Sequence, residues 1–208
     1  MEPLTKILSA AVELFRQYGF KSITMDDIAR RAGISKKTLY QHFANKNEIV
    51  NESVVWYKTR ICENCEAVMA ESSNAVEAMV RTQVLMDQVH KQMNPVALYE
   101  MQRYFPEAYQ TFRDKLVDQD VEIIKATILK GIEEGLYREN INADLMARYR
   151  LETSLMMFQP NLLVNERYSL LFVTHEIFEH FLYGIMTAKG EKLYQKYKEN
   201  YLKHVAKV

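Results

Sequence analysis

The chain has 208 residues, with 27 basic and 27 acidic side chains and 48% hydrophobic residues. These proportions exclude a disordered chain and allow one or two domains with a sizeable core. Glycine and proline are scarce, at six and four residues, which favours long helices over many short strands. The sequence carries neither a signal-peptide pattern nor an apolar run of about 18 residues, so we expect a cytoplasmic protein with no membrane partner.

The net charge of zero conceals a difference between the two ends of the chain. Residues 1–50 carry eight basic and five acidic side chains, a formal charge of +3, which leaves −3 for the remaining residues. A modestly basic end on a mildly acidic body suits a polyanion that binds at one end only. The charge pattern therefore favours a nucleic-acid partner without identifying one.

The first part of the chain carries the start and stop signals of two helices. Apolar side chains recur at helical spacing over residues 4–20, and Gly19 is a suitable stop for that helix. Thr24 then precedes two acidic residues, which is typical of a helix N-cap because the hydroxyl and the carboxylates suit the free N–H groups there. The pattern predicts a short second helix over 25–32, ended by Gly33.

Two further helix starts follow closely. Ser35 is placed to cap another short helix over 36–43, and Asn45 with Glu48 three residues later forms a capping-box pattern that opens a fourth helix. No segment alternates as a strand would, so we predict an all-α fold. The apolar spacing and the later breaks predict the other helices, with the fourth included, at 46–71, 75–93, 96–104, 107–135, 143–159, 167–188 and 191–205.

The segment from Ile23 to Phe43 has the features of a helix-turn-helix. Small and apolar side chains can meet between its two short helices, and Gly33 supplies the positive φ that a tight turn favours. The second helix leaves a polar face outward, which fits the major groove of DNA. Lysine suits guanine, and glutamine pairs with adenine, so we predict that the base-reading residues are Lys36, Lys37 and Gln41.

Hydroxyl and ammonium groups around that face can donate to phosphates, and they are Thr24, Ser35, Thr38, Tyr40 and Lys46. The alternative interpretation is a plain three-helix bundle with solvated charges. The coincidence of two capped helix starts, a central glycine and an exposed polar face favours DNA binding.

Residues 4–50 resemble the DNA-binding domain of the tetracycline-repressor (TetR) family. The similarity rests on Ala11-x-x-Leu14-Phe15-x-x-x-Gly19-Phe20, Thr24-Met25-x-x-Ile28-Ala29, Ala32-Gly33-Ile34-Ser35-Lys36-x-Thr38-Leu39-Tyr40-x-His42-Phe43 and Asn45-Lys46. The resemblance implies an all-helical homodimer whose N-terminal three-helix domain, residues 1–46, binds DNA. It also implies that residues 47–208 bind an effector and dimerise.

Position by position, the resemblance places phosphate contacts at Thr24, Ser35, Thr38, Tyr40, His42 and Lys46, and base contacts near Lys36, Lys37 and Gln41. Many relatives have glycine where this chain has Lys37, so that side chain reads a base or reaches a phosphate. In the C-terminal part, the segments 131–138 and 181–187 look like features that are common in the family, but they identify no ligand.

Methionine and aromatic residues in the C-terminal part suit a site for an apolar or aromatic effector. The predicted pocket residues are Met86, Tyr99, Met101, Tyr104, Phe105, Phe112 and Met156. The alternative is that these side chains form ordinary helical core. Helices 143–159 and 167–188 are apolar on more than one face, which fits either a four-helix dimer interface or burial within one chain. The family resemblance favours the dimer interface. Its predicted residues are Leu151, Leu155, Phe172, Phe178 and Phe181.

Two near-motifs indicate no chemistry of their own. Cys62-x-x-Cys65 has redox or zinc spacing, but it lies within a predicted helix and lacks a second pair. His175 and His180 lie five residues apart, whereas the zinc-protease helix needs four, although Glu179 lies four residues after His175. We therefore predict no metal, no cofactor and no enzymatic activity.

The function that this sequence predicts is transcriptional regulation through a palindromic operator in double-stranded DNA. The expected mechanism is a ligand-responsive repressor that leaves the operator when a small apolar or aromatic effector binds the C-terminal domain. The alternative is a DNA-binding activator or architectural factor of the same fold without an effector.

Overall fold

A computed structural model describes residues 3–91, 93–94, 96–156 and 169–201. Among these residues the regular elements are helices, accompanied by one isolated bridge between Tyr137 and Met186. No helix in the described ranges is long and apolar enough to cross a membrane. The helices are α1 (Pro3–Tyr18), α2 (Met25–Ala32), α3 (Lys36–His42), α4 (Lys46–Glu71), α5 (Ala75–Lys91), α6 (Ala97–Tyr104), α7 (Pro106–Lys115), α8 (Val121–Glu133), α9 (Ala143–Leu155), α10 (Leu170–Ile185) and α11 (Ala188–Tyr201).

The chain forms two compact units. The first comprises residues 1–61 and 92–115, and the second comprises residues 62–91 and 116–208. Helix α4 contributes residues to both units. The boundary after residue 46, which the sequence suggests between DNA-binding and effector functions, stays a prediction about function.

The first unit packs around one apolar cluster. Ile7, Ile28, Leu39 and Ile49 have no exposed surface, so each of the first four helices contributes at least one fully buried side chain. Helices α6 and α7 add further side chains to the same cluster, among them Met101 and Ala108. The inward-facing residues that the sequence predicts for the helix-turn-helix are confirmed, because Ile28, Ala29, Ala32, Leu39 and Phe43 are buried and Ile34 packs against them.

The second unit is closed by contacts between residues that lie far apart in the chain. The Tyr137 hydroxyl is buried and donates to the carbonyl oxygen of Ala75 at 3.0 Å. The backbone N–H of Arg138 donates to the carbonyl of Ile185, and the N–H of Thr187 donates to the carbonyl of Leu136. The two segments that the sequence singles out, 131–138 and 181–187, therefore pair with each other.

One predicted helix is wrong in its extent. The sequence predicts a single helix over 107–135, whereas α7 ends at Lys115 and α8 begins at Val121. A π-helical turn, Leu116–Asp120, lies between them. Such a turn inserts a residue into the helical repeat without a proline or glycine to mark it, so the residue pattern continues across it.

Candidate nucleic-acid interface

Helix α2 begins at a capping box, as the sequence predicts. The Thr24 hydroxyl accepts a hydrogen bond from the backbone N–H of Asp27, and the Asp27 carboxylate accepts one from the backbone N–H of Thr24 at 3.0 Å. The Thr24 hydroxyl also donates to the same carboxylate at 2.6 Å. These bonds lower the pKa of Asp27, because they stabilise its charged form. The start of the helix is therefore fixed by its own residues.

The turn between α2 and α3 is built on Gly33. This residue has φ of 64° and ψ of 39°, a left-handed conformation that glycine adopts without the steric cost of a Cβ. Its N–H donates to the carbonyl of Arg30, and the N–H of Ile34 donates to that of Ala29. This pair of bonds is a Schellman motif, which ends α2 and directs the chain into α3.

Helix α3 is fixed by a capped N-terminus and by a buried side chain on its inner face. The Ser35 hydroxyl caps it by accepting from the N–H of Thr38 at 3.0 Å. Leu39 anchors its inner face and has no exposed surface. The exposed side chains of the helix include Lys36, Lys37, Tyr40 and Gln41. The helix therefore presents a polar surface whose position is fixed by a capped start and a buried leucine.

The three predicted base-reading residues differ in their surroundings. The Lys36 ammonium lies 2.7 Å from the Asp26 carboxylate in an exposed ion pair, which raises the pKa of Lys36. Lys37 and Gln41 are exposed. Lys37 and Gln41 lie four residues apart and so share one exposed helix face, while Lys36 is paired with Asp26 beside it; exposed donors of this kind suit hydrogen bonding to base edges.

Some of the predicted phosphate-binding side chains already form hydrogen bonds within the protein, and others are simply exposed. Thr24 directs its hydroxyl and its backbone N–H at Asp27, so a phosphate competes with that carboxylate for the same donors. The Ser35 and Thr38 hydroxyls lie 2.8 Å apart, and one shared hydrogen bond leaves one of their two protons for another acceptor. Tyr40 and His42 are exposed.

Lys46 is less accessible than the sequence suggests. Its ammonium donates to the backbone carbonyl of Lys21 at 3.2 Å and lies 5.3 Å from the centre of the Phe105 ring. Partial burial lowers the pKa of Lys46, and the carboxylates of Glu100 and Asp27 oppose that shift. The ammonium that is predicted to contact a phosphate thus already has partners within the protein.

Sequence reasoning missed Glu100, which holds the turn between α1 and α2. Its carboxylate accepts from the backbone N–H of Lys21 at 3.0 Å. Gly19 lies beneath it with φ of 81°, and a Cβ at that position would overlap the carboxylate. Glu100 lies 79 residues after Lys21, so no local pattern could have indicated this contact.

The predicted effector-pocket residues divide between the two units. Met101 is buried in the apolar cluster of the first unit, and Phe105 and Phe112 pack against that cluster. Tyr99 and Tyr104, in the same unit, are exposed. In the second unit, Met86 is partly buried and Met156 is exposed.

The predicted dimer-interface residues lie in the second unit at different depths. Leu151, Phe178 and Phe181 are buried within the single chain, and Leu155 and Phe172 are partly buried. Other apolar side chains of the same two helices are exposed, and they are Leu145, Tyr149 and Met156 near and along α9 and Tyr183 on α10.

The near-motif residues have structural partners. The Cys62 thiol lies 3.4 Å from the Asp120 carboxylate, and neither Cys62 nor Cys65 forms a disulfide. His175 pairs with Asp87, and Glu179 pairs with Lys198. Within the described ranges, no group of three or more histidine, cysteine or acidic side chains is arranged to hold a metal ion.

Comparison with known proteins identifies the N-terminal segment. Residues 7–53 match the family model described as bacterial regulatory proteins, tetR family. The matched segment runs from the second turn of α1 into α4 and contains the helix-turn-helix.

The similarity extends beyond that segment. The chain is 26% identical over 155 residues to the HTH-type transcriptional repressor KstR2 of Rhodococcus jostii, covering 72% of this chain and 75% of that protein. It is 26% identical over 175 residues to the uncharacterised HTH-type transcriptional regulator YvaF of Bacillus subtilis, covering 84% and 88%. Its fold matches that of the regulator FadR from Bacillus subtilis in complex with stearoyl-CoA, with a TM-score of 0.67, 19% identity and coverage of 87% and 98%.

The capped α2, the left-handed glycine turn and the exposed face of α3 coincide with the segment that the family model matches. The relatives that span most of the chain are helix-turn-helix regulators, and this agrees with the expectation that the chain is not an enzyme. Residues 7–53 belong to the DNA-binding segment of the tetR family of bacterial regulatory proteins, and the chain is a DNA-binding transcriptional regulator.

Proposed function

We propose that this regulator is a repressor that binds a palindromic operator as a homodimer and releases it when a small effector binds the C-terminal part. The observation that supports the proposal best is the exposed polar face of α3. The Ser35 cap fixes the start of this helix, and fully buried Leu39 fixes its inner face. A helix fixed in this way keeps its donors in place for the major groove, and less conformational entropy is lost on binding.

On that face, Lys36, Lys37 and Gln41 read bases. Thr24, Ser35, Thr38, Tyr40, His42 and Lys46 bind phosphates and set the register of the helix on the duplex. Two such helices in a dimer read half-sites about 34–36 Å apart, one turn of DNA. Bacterial operators lie in the cytoplasm, and we place the protein there.

For the dimer, the exposed apolar side chains of α9 and α10 are the residues that a second copy can cover directly. Leu145, Tyr149 and Met156 follow one another at intervals of four and seven residues, which places them on one face of a helix. Leu151, Phe178 and Phe181 are buried within the protomer, and Leu155 and Phe172 are partly buried, so a second copy has less of their surface to cover.

The repressor function is favoured over an activator or architectural role by the relatives. KstR2 is named a repressor, and the FadR structure contains stearoyl-CoA, a ligand with a long apolar chain. The sequence prediction of an apolar effector agrees with a ligand of that kind. An effector that prefers one arrangement of the dimer lowers operator affinity by its differential affinity for the two states.

The first test compares a base-reading residue with a phosphate-binding one. The operator is selected from a random pool of double-stranded DNA, and affinities are measured by fluorescence anisotropy at several salt concentrations. We expect Gln41→Ala to relax the preference at one base pair by about 1–3 kcal/mol. Lys46→Ala should instead weaken binding on all sequences and reduce the salt slope by about one.

The control is Lys192→Ala, which removes an exposed lysine from α11 in the second unit and should leave both properties unchanged. If the Gln41 and Lys46 variants behave alike, the division into base and phosphate contacts is wrong. If no sequence is enriched from the pool, the assignment of operator recognition to α3 is wrong.

A further inference from the structure

A network of polar side chains, formed by Gln83, Asp87, Arg150 and His175, crosses the interior of the second unit between α5, α9 and α10. The Arg150 guanidinium donates to the side-chain carbonyl of Gln83 at 2.6 Å, and the Gln83 amide donates to the Asp87 carboxylate at 2.8 Å. The other oxygen of Asp87 lies 2.5 Å from Nε2 of His175. Gln83 and Asp87 are buried, and Arg150 and His175 are partly exposed.

Within this polar network, His175 contacts a carboxylate directly and Arg150 does not. His175 lies directly against the carboxylate of Asp87, whereas Arg150 is separated from Asp87 by the neutral side chain of Gln83. A guanidinium has five N–H donors. Within the described part of the chain, the Arg150 guanidinium donates to the side-chain carbonyl of Gln83. Arg150 therefore keeps donors for a further partner and has no carboxylate in contact with it among these residues.

Two aromatic rings flank the guanidinium of the partly exposed Arg150. The guanidinium carbon lies 5.0 Å from the centre of the Phe178 ring and 5.9 Å from that of Phe181. Burial lowers the pKa of Arg150 to about 10, and the distant charge of Asp87 opposes the shift. A cation removed from water is costly unless an anion or several acceptors replace the water. The environment is thus favourable for an anionic group attached to an apolar molecule.

We propose that Arg150 anchors the carboxylate of an otherwise apolar effector, with Gln83 holding the guanidinium and the Phe178 and Phe181 rings orienting its plane. The proposal rests on the ligand-responsive function above and specifies the effector as an organic carboxylate. A guanidinium suits this role because its paired N–H groups match the two oxygens of a carboxylate.

The probes are two hydrophobic carboxylates, decanoate and 2-naphthoate, each compared with its neutral primary amide. Binding to the full chain is measured by isothermal titration calorimetry. We expect at least one carboxylate to bind roughly tenfold or more tightly than its amide, because charge-assisted hydrogen bonds are about twice as strong as neutral ones. Arg150→Met should remove this preference and leave binding of the amide nearly unchanged.

The matched control is Arg148→Met, since Arg148 lies on the same helix but is exposed and pairs with Asp144. It should keep the preference. If Arg150→Met does not fold, as judged by thermal unfolding, Gln83→Glu provides a second variant. It places a carboxylate of similar size beside the guanidinium, and the preference for the ligand carboxylate should fall.

The proposal is overturned if no carboxylate binds more tightly than its amide, or if the preference persists without Arg150 or beside Glu at position 83. Operator affinity is measured separately with each probe. A carboxylate that binds through Arg150 but leaves operator affinity unchanged supports the anchor and contradicts the ligand-responsive part of the proposed function. Operator release by amide and carboxylate alike supports that function and overturns the anchor.

Discussion

The helix-turn-helix and the closure of the second unit both fix helices against one another, but they use contacts of different range. In the helix-turn-helix, the decisive bonds join Thr24 to Asp27 and Ser35 to Thr38, three residues apart in each case. In the second unit, Tyr137 bonds to Ala75 across 62 residues. A local bond is encoded by neighbouring residues, whereas a distant one requires the whole unit to fold.

This difference has a consequence for substitutions. Removing a local cap should weaken one helix end, because the surrounding packing stays in place. Disturbing a distant contact should cost more, because several elements depend on it at once. The expected effects therefore decrease from the second unit to the surface of the helix-turn-helix.

The largest effect is expected for Gly131→Ala in α8. A Cβ at Gly131 would overlap the ring of Tyr137, whose side chain is almost completely buried and bonded to Ala75. Displacing that ring should lower the free energy of unfolding by about 1–3 kcal/mol, as overpacking of a core typically does, and the direct overlap with a buried ring places the expected loss in the upper part of that range. The measurement is chemical unfolding followed by circular dichroism.

Gly184→Ala is the control, since Gly184 also lies in a helix but a Cβ there meets no atom of the described residues within 4 Å. It should be neutral or stabilising by up to about 1 kcal/mol, because alanine favours the helix. Similar losses in both variants would show that the Tyr137 contact does not determine the closure of the unit.

The same difference in range explains which features the sequence could predict. The sequence predicts the caps at Thr24, Ser35 and Asn45 and the turn at Gly33, and the structure confirms them, because each depends on residues three to five positions apart. At Asn45 the box is modified, since the Glu48 carboxylate accepts from the N–H of Ala44.

Features that depend on distant residues could not be predicted. Glu100 above Gly19 and Lys21 is one example, and the contact of Arg150 with Gln83 across 67 residues is another. The π-helical turn between α7 and α8 was missed for a related reason, because its residues continue the helical pattern and tertiary packing decides where the repeat shifts. The candidate DNA-binding face was therefore accessible from the sequence, and the interior of the second unit was not.

A smaller effect is expected for Thr24→Ala, which removes the cap of α2. The loss of an N-cap hydroxyl should cost about 1 kcal/mol and weaken operator binding through a frayed helix start. Thr24→Ser is the control and should retain most of the stability, because it keeps the acceptor oxygen. A full loss in the serine variant would indicate that the methyl group of Thr24, rather than the capping box, is responsible.

The cost of Thr24→Ala should also depend on pH. Because the pKa of Asp27 is lowered in the folded chain, its bonds to Thr24 contribute fully at neutral pH, and their contribution is lost as the pH falls through that lowered pKa. The difference in unfolding free energy between Thr24→Ala and the unaltered chain should therefore shrink in acid. A difference that stays constant down to acidic pH would show that the ionised carboxylate of Asp27 has no part in the cap.

The smallest effect on stability is expected for Asp26→Asn, which removes the exposed carboxylate that pairs with Lys36. Exposed ion pairs contribute little to folding because water screens them. The same carboxylate carries negative charge beside the candidate DNA-binding face, so its removal should strengthen operator binding by a few-fold and free the Lys36 ammonium for a base edge. In the double variant Asp26→Asn with Lys36→Ala, only the gain in operator affinity from reduced repulsion should remain.

If the gain in operator affinity from Asp26→Asn is equally large with and without Lys36, that lysine does not read the operator. If Glu133→Gln, which removes an exposed acid from the second unit, strengthens binding as much, the effect reflects net charge rather than the position of Asp26 beside α3.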